Sequence, residues 1–234
     1  MTLSNNDIKR ELIKGNNISI HPLKLGNIKG SSINFTASKM AWKVSDKKTA
    51  VKEDIITIPP NDTVCIYTQE AIWISRRIGG TYHPRVTLVS KGLSHISTTL
   101  DPGWAGISLV AVNNPTDKEI EIRVGEAFVS IMLYYLNTPS DLNIGENSAS
   151  RRDIAGAFEK NDEEDMLLQE QWHRNQYGIT TEMLKSKNYK EFEEDELKEI
   201  TKKKEEKKEF RQTFWYPLVV AIVGGIIGGS ISFF

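Results

Sequence analysis

Cysteine is almost missing from this chain: Cys65 is the only one in 234 residues. A lone thiol excludes an intrachain disulfide and a thiolate zinc cluster, and it suits a reducing compartment. An excess of charge of one sign is missing too. The 30 Lys and Arg against 31 Asp and Glu leave a formal net charge of −1, so nothing argues for nucleic-acid binding. The histidines, His21, His83, His95 and His173, do not fall at metal-ligand spacing, and no metal site is expected. No GK[ST] loop, GxSxG elbow or HExxH helix occurs, which removes the standard phosphate-cradle, serine-hydrolase and zinc-protease signatures. The HxE and PCxxC pair of zinc nucleobase deaminases is absent as well, which excludes the usual metal-bound water route to deamination. The opening stretch MTLSNNDIKRELIKG is polar and charged, so no secretory signal is expected.

What is present divides into four parts: a β domain over residues 1–137, a linker over 138–150, a charged helical stalk over 151–212 and a membrane anchor over 213–234. The first part opens with a helix signal. Ser4 is a good N-cap, Ile8, Leu12 and Ile13 follow at helical spacing, and Gly15 is a stop. Ile18, Ile20 and Pro22 then read as a short extended piece. Apolar residues alternate at Ile33, Phe35 and Ala37, at Ile56 and Ile58, and at Val64 and Ile66. Residues 71–75, 86–89, 107–112, 120–124 and 128–136 are rich in β-branched or aromatic types and are read as strands. Turn residues punctuate them, among them Pro59-Pro60-Asn61-Asp62 and Asp101-Pro102-Gly103. Many short strands with regular turns predict a mainly β jelly roll, sandwich or barrel rather than alternating βαβ units. Residues 1–150 are expected to fold without the rest.

Beyond residue 150 the chain is strongly charged. Glu194 precedes Lys198, and Glu199 precedes Lys203, by four residues, the favourable order for exposed helix pairs. Leu184, Phe192, Leu197, Ile200 and Phe210 keep no seven-residue repeat, so a solvated helical spacer is the expectation rather than a coiled coil. The run from residue 214 to 234, FWYPLVVAIVGGIIGGSISFF, contains no charge. Its ~21 residues at ~1.5 Å each span about 31 Å, the thickness of a hydrocarbon core. Trp215 and Tyr216 suit the headgroup level, and Lys202, Lys203, Lys204, Lys207, Lys208 and Arg211 before them keep that flank cytoplasmic. A single-pass C-terminal anchor with the soluble domain in the cytoplasm is therefore expected. Gly224 and Gly228 form one small-xxx-small pair, and Ala221, Gly225 and Gly229 a longer series, each suited to close helix association in lipid.

The string Asp101-Pro102-Gly103-Trp104-Ala105-Gly106 is the most specific in the sequence. With residues 68–72, 85–93 and 122–134 around it, it resembles the dCTP deaminase and dUTPase superfamily. The ordered segments match that family's T-x-E-x-I strand, its S-S-L-A-R-x-G segment, its D-P-G-W-x-G turn and its closing strand. The likeness covers about residues 3–137. It implies a distorted jelly roll whose active sites lie between the subunits of a homotrimer, and a deoxynucleotide ligand. It also implies a nucleotide contact for Arg85, Thr87, Ser90, Lys91, Asp101 and Trp104. No cofactor is implied beyond magnesium carried by a bound nucleotide.

The residues depart from the family at telling places. Thr87 stands where deaminases place a phosphate-touching serine, so a hydroxyl survives. Ser90 stands where they place an arginine, and Lys91 beside it offers charge without a bidentate fork. Ala111 stands at the deaminase catalytic glutamate, and a methyl group relays no proton. Asn34 replaces an aspartate, and Ser130 a glutamine. The phosphate-binding tail that normally follows has no clear counterpart in residues 137–152. Asp101 is retained, and in dUTPases the matching aspartate activates the attacking water. The expected function is a catalytically inactive, membrane-anchored trimer that senses nucleotide or serves as an assembly platform for a partner protein. The alternatives are an active tethered dUTPase using Asp101, or a deaminase, and a membrane effector of the kind used in antiviral defence.

Overall fold

The computed structural model describes residues 1–95, 97–141 and 146–215. The N-terminal helix α1 (Asn5–Lys14) begins where its cap demands. The Ser4 hydroxyl accepts the Asp7 N–H at 3.2 Å, and the Asp7 carboxylate accepts the Ser4 N–H at 3.0 Å, a reciprocal capping box. Gly15 ends the helix at φ 66°, and Ile8 and Leu12 are fully buried.

The strands follow as β1 (Ile18–His21), β2 (Ile28–Lys29), β3 (Ser32–Lys43), β4 (Val51–Lys52), β5 (Ile55–Ile58), β6 (Asp62–Ile74) and β7 (Ile78–Pro84). After a one-turn helix, α2 (Val86–Val89), come β8 (Ser94–His95), β9 (Thr99–Leu100), β10 (Ala105–Asn114), β11 (Ile120–Arg123) and β12 (Ala127–Tyr135). The main sheet runs β8-β10-β6-β3-β12-β7-β9, with β1 added on β6 and β2 on β3; a small sheet runs β11-β5-β4. The pairings are antiparallel. The sheet curls through β3, whose first half pairs with β12 (Ile33 to Thr36) and whose second half pairs with β6 (Ala37 to Lys43). Register shifts in both ladders near Ala37 absorb the bend. The two apolar segments read separately around residues 64 and 71 are one 13-residue strand, β6.

Residues 86–89 depart from the expected strand. Val86 and Val89 are exposed and only Leu88 is buried. Among the described residues no strand pairs with it, and the segment takes the local helical solution, capped by the extended Arg85.

The compact unit also outruns the expected domain end: it extends from Met1 to Tyr189. Helices α3 (Arg152–Ala155), α4 (Asp162–Gln169) and α5 (Gln176–Lys185) are not a solvated stalk. Ala155, Phe158, Leu168 and Ile179 join one apolar cluster with Met40, Trp42, Cys65, Tyr67, Trp73 and Ile107 of the sheet. Phe158 stacks on Trp42 at 5.5 Å. α4 has its own capping box, Asn161 with Glu164, and Asn175 caps α5 by accepting the Gly178 N–H at 2.8 Å. Against β1, the Ile20 N–H donates to the Met183 sulfur, and Ser19 and Thr180 share a hydroxyl bond of 2.8 Å. The charge count of this stretch hid an amphipathic character spread over three short helices, each too brief to show a periodic stripe.

The second unit is Lys190–Phe234 and holds most of α6 (Lys187–Phe210). Lys203 meets Glu199 at 3.2 Å as expected, whereas Lys198 turns to Asp195 at 3.5 Å instead of Glu194. These exposed pairs contribute little stability. Among the described residues no helix is long and apolar enough to cross a membrane. The expected anchor, with Ala221, Gly224, Gly225, Gly228 and Gly229, lies outside the described residues from 216 onward.

Candidate functional site

Residues 101–104 form a type II turn. Pro102 fixes the second position, and Gly103 supplies the third at φ 85°. The Trp104 N–H closes the turn onto the Asp101 carbonyl at 3.1 Å. The turn is stitched to the end of β6 by Gly103 N–H to Ile74 C=O and Ile74 N–H to Trp104 C=O, both 3.1 Å. This fixes the Trp104 ring, only 7% exposed, in the wall of a cleft. The Asp101 carboxylate stays exposed at its mouth, with no hydrogen bond or ion pair among the described residues.

The cleft encloses about 370 Å³ and is lined by Tyr82, Thr98, Thr99, Leu100, Asp101, Trp104, Ser108, Leu109, Arg151 and Ile154. The Tyr82 and Ser108 hydroxyls meet at 2.6 Å, and the Ser108 N–H donates to Thr68 Oγ1 at 2.9 Å. Burial pushes the Tyr82 phenol well above its usual range; the Ser108 bond opposes this and the Asp101 charge adds to it. Tyr82 is thus a neutral phenol at physiological pH. Exposed Thr98 and Thr99 add hydroxyls, so the lining mixes an indole, aliphatic carbons and short polar groups, the usual make-up of a small-molecule site.

One side of the cleft comes from the C-terminal part of the chain. Gly106 has φ 153°, and a Cβ there would fall against the backbone nitrogen of Ser150. Ser150 is held from several directions. Its carbonyl accepts the Tyr67 hydroxyl at 2.5 Å, and its Oγ accepts the Ile107 N–H at 3.1 Å. Its Oγ also pairs with His173 Nδ1 at 2.8 Å, while His173 Nε2 lies 2.7 Å from the Leu167 carbonyl. A carbonyl only accepts, so Nε2 carries the proton and Nδ1 accepts from Ser150. Burial holds the His173 pKa below its ordinary value, and the Leu167 carbonyl offsets part of the shift.

The structure brings together two of the six expected nucleotide-contacting residues, Asp101 and Trp104. Arg85 sits at the start of α2 and donates to the Ala127 carbonyl at 3.1 Å. Thr87 and Ser90 are exposed on that same turn, with Ser90 Oγ donating to the Thr87 carbonyl at 3.2 Å. Lys91 lines a separate, shallow depression with residues of the β10–β11 loop. Ala111 pairs with Cys65 across β10 and β6, its methyl against the apolar cluster that the helices close. Asn34 and Ser130, both departures from the family pattern, bond to each other at 2.7 Å across β3 and β12. Sequence reasoning passed over Tyr82, Ser108 and Arg151. Tyr82 and Ser108 carry no motif of their own, and Arg151 reaches the cleft only through the tertiary path of Ser150. Among the described residues no group of three or more His, Cys, Asp or Glu is placed to hold a metal ion.

Residues 2–136 match the model of the dCTP deaminase-like family, and the chain belongs to that family. It is similar to the dCTP deaminase of Pyrococcus furiosus, 26% identical over 123 residues, covering 53% of this chain and 79% of that protein. A probable deoxyuridine 5'-triphosphate nucleotidohydrolase of Sulfolobus islandicus rod-shaped virus 1 is 28% identical over 142 residues, 59% of this chain and 87% of that protein. Among solved structures, the 2'-deoxycytidine 5'-triphosphate deaminase of Agrobacterium tumefaciens superposes with a TM-score of 0.47 at 11% identity, over 56% of this chain and 48% of that one.

Proposed function

We propose that this chain binds a deoxynucleoside phosphate in the Asp101–Trp104 cleft without deaminating it, and acts as a membrane-tethered nucleotide sensor or assembly platform. The curled sheet is read here as the family's distorted jelly roll. The observation that carries the reading is Ala111. Its methyl, partly buried, packs against the cluster of Cys65, Tyr67 and Phe158, and the position offers no carboxylate to move a proton at the cytosine ring. A homotrimer follows from the same reading. Arg85, Thr87, Ser90 and Lys91 lie apart from Asp101 in one protomer, and a neighbouring copy that presents α2 to the cleft unites them. Any magnesium arrives with the nucleotide's phosphates.

A second reading, dUTP hydrolysis, is favoured by the Asp101 carboxylate, which is exposed and without a partner among the described residues, at the position where dUTPases activate the attacking water. Calorimetric titration of the detergent-purified chain with dCTP, dUTP, dATP, dGTP and dTTP separates the two when ammonia and pyrophosphate are assayed alongside. The proposal expects saturable binding of at least one of them with neither product. Ammonia release near 1 s⁻¹, an ordinary enzyme rate, overturns it. Pyrophosphate release that vanishes in Asp101→Asn installs the second reading in its place.

A further inference from the structure

We infer that Arg151 is the residue that holds the nucleotide's phosphate, supplied in cis from the chain's own C-terminal segment to the cleft formed by Asp101 and Trp104. The inference rests on the nucleotide-binding reading and deepens it. Arg151 is the only cation among the described residues that line the cleft. A nucleotide's hydrophobic and hydrogen-bonding needs are met by Trp104, Tyr82 and the threonines, but its phosphate charge needs a cation in a space that already holds the Asp101 carboxylate.

The guanidinium is underused. Its Nε is buried without a hydrogen-bond partner among the described residues. Among the described residues its one ion pair joins Nη2 to Asp153 Oδ2 at 2.9 Å, with both side chains 40% or more exposed. Such a pair is weak and readily exchanged for a better acceptor. Phosphate is that acceptor, because it accepts two parallel N–H groups of the fork.

The backbone shows that the position is imposed. Ser150 and Arg151 are consecutive non-glycine residues in the left-handed region, at φ 53° and 48°. That conformation is costly for residues with a Cβ and persists only where the surroundings over-determine it. The surroundings are the bonds of Ser150 to Tyr67, Ile107 and His173 and its close approach to Gly106. Strain at Ser150 thus places the next residue, Arg151, beside the Asp101 turn. The guanidinium belongs to the same chain as the cleft, so this contact does not depend on a neighbouring subunit.

The test uses the full chain in detergent and compares deoxycytidine and deoxyuridine with their mono- and triphosphates. The native chain is expected to bind the phosphorylated forms at least about tenfold more tightly than the nucleosides. Arg151→Gln is expected to cut that preference at least severalfold, and Arg151→Lys to restore part of it. Asp153→Asn, which releases the guanidinium, is expected to tighten the phosphorylated forms by about two- to threefold. An Arg151→Gln chain that melts like the native one and keeps the phosphate preference overturns the inference and leaves nucleotide binding standing. Should that variant fail to fold, Asp153→Asn decides, and no tightening overturns the inference. A native chain that binds neither nucleosides nor nucleotides removes the functional reading and this inference together.

Discussion

Replacing Gly106 with alanine drives a methyl group into the backbone of Ser150 at a φ that L-residues rarely adopt. Gly106→Ala is expected to cost about 2–4 kcal/mol through strain and displaced packing, read as a lowered midpoint in urea. It should also weaken nucleotide binding, because Arg151 moves with Ser150. Ala111→Glu tests whether the missing carboxylate can simply be put back. The new side chain starts from a partly buried position against an apolar cluster, so a loss on the order of 1–3 kcal/mol is expected and no ammonia release; deamination in that variant, measured with dCTP, contradicts the account of this position. Single residues were legible in the sequence only where local chemistry fixes them. Asp-Pro-Gly-Trp writes its own turn, so Asp101 and Trp104 were found. Arg151 was not, because nothing near it in sequence tells that Ser150 is drawn under Gly106.

At the scale of elements, α1 was readable from Ser4 to Gly15 because cap and stop are local signals, and the strands because β-branched runs between turn residues are local too. Helices α3 to α5 were not, since their apolar residues are few and make sense only against Trp42 and Tyr67. A chain cut after residue 150 should therefore expose that aromatic face and aggregate, contrary to the sequence expectation, whereas one cut after Tyr189 should stay monodisperse with a single cooperative melt. Light scattering on the two fragments distinguishes the cases. The link from Ser150 to the turn around His173 also predicts a pH dependence. Burial lowers the His173 pKa in the folded chain, so the unfolded chain binds the proton more readily. The stability it contributes is fully present above about 6.5 and is lost as the pH falls below that value towards the depressed pKa. Thermal melts between pH 7.5 and 5 should show this slope, and His173→Gln should flatten it; an equal slope in both chains assigns the effect elsewhere, for instance to half-buried His21, whose pKa is also lowered by desolvation.

At the scale of the whole molecule, a compact unit from Met1 to Tyr189 is followed by the charged α6 and then by the apolar run from residue 214. If that run is the anchor, the chain should sediment with membranes through an alkaline carbonate wash, and removal of residues 213–234 should release it. Gly225→Leu with Gly229→Leu should leave it in the membrane pellet yet reduce crosslinking between tails fused to a monomeric reporter; unchanged crosslinking makes the glycines passive. Placing the closing helices so late in the chain also sets a schedule for its birth. The sheet strands are complete at Tyr135, but Trp42, Tyr67 and Trp73 are not covered until Ile179 has been made. At roughly 5–20 residues per second the intervening ~45 residues take on the order of 2–9 s. During that interval the nascent chain carries a bare aromatic surface on an otherwise finished sheet, and a holdase that shields such surfaces should be found on ribosomes translating this stretch.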